Sequence, residues 1–227
     1  MNFRELVPKQ AWIDLINRGQ RRIYRRDAVL LRQGESAASV IALVEGTVKI
    51  LQTAETGDTI TLTLRGPGEV LGEMGVILDL PRSATIRAVS GCVGYVLQAH
   101  AFRGYLDRHQ LSLAVYQLAV ERMQHVERMR ADLARLAPAA RLAHVLAHLA
   151  GEVGQPTDAG LLVELGMSRE ELAVMAGMGR SSAAPLLGQL QEAGILSLGR
   201  GQVVVKNLRR LEEMALGSAN ADDDGNL

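Results

Sequence analysis

The chain has 227 residues, 48% of them hydrophobic, with 25 Lys and Arg against 25 Asp and Glu. That is enough apolar surface for a core and too much for a disordered chain, while the balanced charge gives no sign of a nucleic-acid or membrane partner. One cysteine, Cys92, excludes an intrachain disulfide and any four-cysteine zinc or iron–sulfur site, and aromatics at 3% argue against a base-stacking surface for single strands. No apolar run approaches the roughly 20 residues of a membrane helix. The N-terminal MNFRELVPKQ lacks the apolar core of a signal peptide. The expectation is a cytoplasmic protein with no membrane partner.

Residues 20 to about 98 read as short strands. Val40 to Val44, Thr47 to Leu51 and Thr59 to Leu64 are β-branched and apolar, and the last alternates polar with apolar, as a half-buried strand does. Glu45-Gly46 and Gly57-Asp58 lie between apolar runs, where hairpin turns need residues that tolerate positive φ. Short strands at roughly 8–12-residue spacing predict a barrel or sandwich. Gly72 to Leu78 predicts two helical turns, stopped by Pro81.

From about Gln110 to Leu136 there is no Pro or Gly. Val115, Ala119, Val126, Met129, Leu133 and Leu136 follow helical spacing, interrupted by Arg122. About 27 residues at 1.5 Å rise make roughly 40 Å of helix. Such a seam, flanked by Glu121, Arg128, Arg130 and Arg135, predicts pairing with a second copy; packing on its own domain is the alternative. Pro138 ends the helix. A helix over Ala139–Ala150, a loop from Gly151 to Gly160, helices over Arg169–Ala176 and Arg180–Ala193, and a Gly-centred hairpin from Ile195 to Val205 follow. The tail ends in Asp222-Asp223-Asp224 and predicts disorder. The fold class is α+β: an N-terminal β-roll over 1–108, a long helix over 109–137, a small helical domain over 138–216 and an acidic tail over 217–227.

The most informative segment runs from Gly66 to Ala88. A glycine-rich turn leads into a short helix, whose first amides can face an anion. Arg82 follows, and a guanidinium fork matches a phosphate bidentately. Ser83 adds a hydroxyl, and the Glu73 carboxylate suits a sugar hydroxyl. These groups fit a ligand with both a phosphate and a ribose. They equally fit a turn and helix with a surface Glu–Arg pair.

The segment resembles the phosphate-binding cassette of cyclic-nucleotide-binding domains, in which a Gly-Glu precedes an Arg by nine residues. The match is Gly72-Glu73 and Arg82-Ser83-Ala84, and it extends upstream through Leu30 to Glu35 and Ala42 to Lys49. The resemblance implies a β-roll of the double-stranded β-helix type. It also implies an effector site at Gly72, Glu73, Met74, Arg82 and Ser83, with Glu73 on the ribose 2′-hydroxyl and Arg82 and Ser83 on the cyclic phosphate. That reading requires a cavity not filled by the protein's own side chains.

Arg169 to Leu190 fits a helix-turn-helix. Ala173 is the small residue of the first helix, Gly177 sits at the turn, and Leu172, Ala176, Met178, Ala183 and Leu186 are positioned to lock the helices. The hairpin with Gly199-Arg200-Gly201 at its tip reads as a wing. Arg180, Ser181 and Ser182 would lie nearest the bases in a major groove, with Arg169 and Arg200 beside them.

In this order of parts the chain is similar to the CRP/FNR superfamily of bacterial transcription regulators. The resemblance implies a homodimer on double-stranded DNA, controlled by cAMP or cGMP as allosteric effector, with RNA polymerase as a further partner. Three features depart from it. Val126-Glu127 stand where cAMP-responsive members carry Thr-Ser against the adenine, so Glu127 either accepts from a base amine or is a solvated helix residue. Pro185 falls where relatives carry a base-reading arginine; it costs about 3 kcal/mol if the helix begins at Arg180, and far less with Ser181 or Ser182 as N-cap. Residues 138–216 carry seven Lys and Arg against eight Asp and Glu, a net of −1, where a DNA-binding domain usually has a basic excess. Residues 1–108 carry fourteen against eleven, with Arg21, Arg22, Arg25 and Arg26 clustered.

Other signals carry less. His144 and His148 have metal-binding spacing, but position 145 is Val rather than the Glu of HExxH, so no metal site is expected. Cys92 reads as a core residue. His100, His109 and His125 have no evident catalytic partner, and no enzyme is expected. Two alternatives remain: a nucleotide sensor whose C-terminal domain binds a protein, and a regulator that needs no small effector.

Overall fold

The computed structural model describes residues 2–217; apart from Gly217, the predicted acidic tail lies outside the described residues. Two short helices open the chain, α1 (Phe3–Leu6) and α2 (Lys9–Arg18). Eight strands follow: β1 (Gln20–Tyr24), β2 (Val29–Leu31), β3 (Ser39–Glu45), β4 (Val48–Thr53), β5 (Thr59–Arg65), β6 (Val70–Leu71), β7 (Thr85–Ala88) and β8 (Cys92–Gln98). The helix α3 (Glu73–Leu78) interrupts them between β6 and β7. Then come α4 (Ala99–His109), α5 (Ser112–Arg135), α6 (Pro138–Val153), β9 (Gln155–Thr157), β10 (Gly160–Glu164), α7 (Arg169–Met175), α8 (Ala183–Glu192), β11 (Leu196–Gly199), β12 (Gln202–Val205) and α9 (Leu208–Ala215). The chain forms two compact units, which divide in sequence between Glu127 and Arg128, inside α5.

The first unit is a roll of two antiparallel four-stranded sheets, ordered β1-β8-β3-β6 and β2-β7-β4-β5. Strand β3 does not alternate: Val40, Ile41, Ala42 and Leu43 are all buried, because both faces of that strand are covered. Gly46 carries the β3–β4 turn at φ +86, and a Cβ there would overlap the Gly91 carbonyl and Cys92 Sγ. Cys92 is fully buried in a core cluster with Leu31, Ile41, Leu43 and Ile86, as a small core residue.

A second cluster joins Phe3, Trp12 and Leu15 of the N-terminal helices to Val70 and Val76, and to Phe102, Leu106, Val115 and Leu118. The sequence reading contained neither the N-terminal helices nor α4. Between α4 and α5 the chain bends at Gln110, held at φ +53. The apolar residues of α5 also sort differently from expectation. Val115 faces the unit's own core, and the stripe left exposed is Leu113, Tyr116, Val120, Met123 and Val126.

In the second unit α6 runs three residues further than predicted, through Gly151 to Val153, and the expected loop contains β9. The sheet order is β11-β12-β10-β9, so the wing hairpin is one half of a four-stranded sheet.

Candidate functional site

The geometry of the effector segment begins with Gly72. It is the N-cap of α3 in the left-handed region, φ +80 and ψ +12. A Cβ at Gly72 would overlap the Arg82 guanidinium, so only glycine lets that side chain pass. The Arg82 backbone is fixed on both sides: its N–H donates to the Glu35 carbonyl and its carbonyl accepts from the Gly34 N–H, both at 2.9 Å. Its Nη1 donates to the Gly72 carbonyl at 2.7 Å and its Nη2 to the Ser39 carbonyl. Burial pulls the guanidinium below its ordinary pKa, against the carboxylates of Glu73 and Glu35, which hold it up.

Glu73 and Arg82 are thus buried together, each about one-twentieth exposed, and they do not pair with each other. Glu73 Oε1 accepts from Arg122 Nη1 of α5 at 2.6 Å. Arg122 Nη2 also donates to Glu69, itself 3% exposed, and Arg65 Nε lies 3.5 Å from Glu69. The sequence reading missed Arg122 and Glu69. It took Arg122 for a break in the apolar seam, whereas it bridges two buried carboxylates. One oxygen of Glu73 is therefore already bonded from within the chain. Oε2 of Glu73 nevertheless has no partner among the described residues, and Arg82 uses two of its five N–H groups on carbonyls. The remaining donors and the remaining carboxylate oxygen fit an anionic ligand that also carries a hydroxyl.

The other predicted effector residues are placed less specifically. Met74 lines a cavity of about 50 Å³ with Ile77, Leu106, Ser112, Val115 and Tyr116. Ser83 is exposed, as are Val126 and Glu127 on α5. No hydrogen bond joins these last two to the cassette.

In the second unit, Ser168 caps α7 through a reciprocal box with Glu171, at 3.1 and 2.7 Å. The turn passes through Gly177 at φ +64. Arg141 ties it down, donating to the Gly177 carbonyl at 3.0 Å and to the Leu136 carbonyl at 2.8 Å. Leu172, Ala176 and Ala183 lock the two helices as expected, while Leu187 is buried and Met178 and Leu186 are only half-buried. The second helix starts at Ala183, with Ser182 as N-cap, not at Arg180. Pro185 is its third residue, where no intrahelical bond would use its N–H, so the predicted cost does not arise. Arg169, Arg180, Ser181 and Arg200 are exposed and Ser182 is half-buried. Arg200 sits at the wing tip beside Gly201, whose φ is +69.

His109 has a partner that the sequence hid: its Nε2 lies 2.8 Å from Asp14 Oδ2, which also accepts from Arg18 at 2.7 Å. No metal-ligand cluster and no helix long and apolar enough to cross a membrane occurs among the described residues.

A roll with a phosphate-type cassette, followed by a winged helix-turn-helix, defines a class of ligand-linked DNA-binding protein, and the comparisons place the chain in it. The family model of the cyclic nucleotide-binding domain matches residues 21–109, and that of the Crp-like helix-turn-helix domain matches residues 140–214. The cyclic AMP receptor protein of Thermus thermophilus is 30% identical over 222 residues, covering 96% of this chain and 97% of the relative. The fold is shared with FixK2 of Bradyrhizobium japonicum, with a TM-score of 0.71 at 21% identity over 86% of this chain and 96% of that one. It is also shared with the c-di-GMP responsive regulator CLP of Xanthomonas campestris, with a TM-score of 0.66 at 23% identity over 87% and 99%. The chain belongs to the CRP/FNR family of transcription regulators. It carries a cyclic nucleotide-binding domain and a DNA-binding helix-turn-helix.

Proposed function

We propose that the chain is a cytoplasmic, homodimeric, sequence-specific transcription regulator, controlled by a cyclic nucleotide held at Gly72, Glu73, Met74, Arg82 and Ser83. The observation that carries it is the pair Glu73 and Arg82. Two opposite charges are buried side by side, are not bonded to each other, and retain unsatisfied bonding capacity. The free oxygen of Glu73 and the free N–H groups of Arg82 suit a ligand that presents a phosphate to Arg82 and a hydroxyl to Glu73. The Thermus relative is named for cyclic AMP, which makes cAMP the first ligand to test and cGMP the second. Glu127 enters as a solvated helix residue, because it is exposed and makes no bond.

Dimerisation rests on α5. Its exposed Leu113, Tyr116, Val120, Met123 and Val126 recur every three or four residues, the spacing of a helix-pairing seam. DNA contacts are assigned to Arg169, Arg180, Ser181, Ser182 and Arg200, and RNA polymerase is the partner of the bound dimer.

The test is a thermal-shift panel of cyclic mono- and dinucleotides, followed by calorimetry with the strongest ligand. Saturation at 100 times Kd raises stability by about 2.7 kcal/mol. Arg82→Ala is expected to abolish that binding, and retained affinity overturns the assignment. Val120→Glu is expected to convert the dimer to monomer in sedimentation. A second reading, a regulator without a small effector, is favoured by one feature: Arg122 already occupies Glu73. A panel without any shift, combined with operator binding by the protein alone, establishes that reading instead.

A further inference from the structure

We infer that Arg103 is a positioning residue that holds the effector cassette and ties it to α4, the helix leading into α5. The inference rests on the cassette being the effector site. Helix α3 is six residues long, about 9 Å at 1.5 Å per residue. Glu73 stands at its first position and Val76 less than one turn later. So short a helix has little cooperativity of its own, and its ends must be held by neighbours.

The N-terminal end is held by Gly72 and Arg82. At the other end Asp79 closes the helix in the left-handed region, φ +55 and ψ +41, its N–H directed to the Gly75 carbonyl. Asp is among the few residues other than glycine that tolerate this conformation. The Leu80 N–H also donates to Gly75, at 3.0 Å, which leaves the Val76 carbonyl without a bond from its own helix end. Arg103 supplies it. Both Nε, at 3.1 Å, and Nη2, at 2.7 Å, donate to the Val76 oxygen, and Nη2 also reaches Asp79 Oδ1 at 3.1 Å. Cation-to-carbonyl bonds at a helix C-terminus are favourable on two counts: they satisfy a terminal carbonyl and oppose the negative end of the dipole.

Arg103 lies in the middle of α4, on the same turn as Phe102 and Leu106, which pack with Val76 in one core cluster. The Arg103 fork and that apolar contact therefore join the same two helices from the rim and from the core. Movement of Glu73 upon engaging a ligand is carried into α4, and through the Gln110 bend into α5. Arg103 reaches neither Glu73 nor Arg82, so its effect is on placement and transmission.

The test is hydrogen–deuterium exchange on the full-length protein, comparing wild type, Arg103→Ala, Arg103→Lys and Asp79→Asn, without ligand and with saturating cAMP. Without ligand, Arg103→Ala is expected to speed exchange across residues 76–82 about tenfold, the factor a charge-assisted bond is worth. Arg103→Lys restores part of it, and Asp79→Asn, which keeps the left-handed preference, loosens the segment by less. With saturating cAMP, the nucleotide-induced protection of residues 112–127 is expected to fall in Arg103→Ala even when the site is full, which a purely structural cap would leave intact. Unchanged exchange over 76–82 overturns the positioning role, whatever ligand binds. Full protection of 112–127 in the variant overturns the transmission role. If wild type binds no cyclic nucleotide, the effector assignment fails, and the exchange over 76–82 still decides the positioning claim.

Discussion

The two units carry their candidate functional residues in opposite ways. In the first, Glu69, Glu73 and Arg82 are nearly inaccessible, and Arg122 bonds both carboxylates from α5. In the second, Arg169, Arg180 and Arg200 lie exposed on a scaffold whose rigid parts are elsewhere, in the Ser168 cap and the Arg141 tie. A buried charge set is organised before its ligand arrives, so changing it alters stability and binding together. An exposed set is organised by what it meets, so changing it alters binding alone. The neutral balance of the second unit belongs with this contrast. Its affinity for a polyanion has to come from where a few arginines stand, because there is no basic excess to supply it.

The largest test of this contrast is Arg122→Ala. It leaves Glu69 and Glu73 buried without their shared cation, and breaking a buried pair costs about 3–5 kcal/mol. Chemical denaturation is expected to show that loss together with weakened nucleotide binding; a variant as stable as wild type would mean that the carboxylates are not held as described. Gly72→Ala comes next, at about 2 kcal/mol, because it combines a left-handed backbone with overlap on Arg82. Arg180→Ala is expected to weaken operator binding by about 1–3 kcal/mol while leaving the melting curve unmoved within about 0.5 kcal/mol. A shifted melting curve would erase the distinction between the units.

The smallest effect concerns Asp14. Hydrogen bonds from Arg18, and then from His109, hold its carboxyl below the ordinary value. A group with a depressed folded pKa contributes stability above its unfolded pKa, near 3.8, and loses it as pH falls through the folded value. Asp14→Asn is therefore expected to be less stable than wild type by up to about 1 kcal/mol at pH 6. The two denaturation curves should converge in the acid range below the ordinary carboxylate value. A constant gap across pH would assign the difference to something other than the charge.

The contrast also separates what could be read from the chain alone. Gly72, Glu73 and Arg82 were legible because they lie within eleven residues, and their chemical types point to one ligand. The Gly177 turn and the Gly-tipped wing were legible for the same reason: each is fixed by the φ preferences of neighbouring residues, whereas the Ser168 cap emerged only from the structure. Helix α4 was hidden by a short amphipathic stretch that continues almost directly into α5. The exposed stripe of α5 was misassigned because helical periodicity shows that apolar faces exist, not which of them a domain covers. Val115 and Tyr116 are adjacent in the chain and face opposite environments.

What the sequence determined by itself was the order of parts, the turns that glycine permits, and a local set of groups suited to a sugar phosphate. Only the tertiary structure decided that Arg122 joins Glu69 and Glu73 across some fifty residues, that Arg103 caps α3, and that Ser182 rather than Arg180 begins the helix containing Pro185. The reason is physical. Propensity and turn chemistry act between near neighbours, whereas the partner of a buried charge is whichever group the packed core brings within reach.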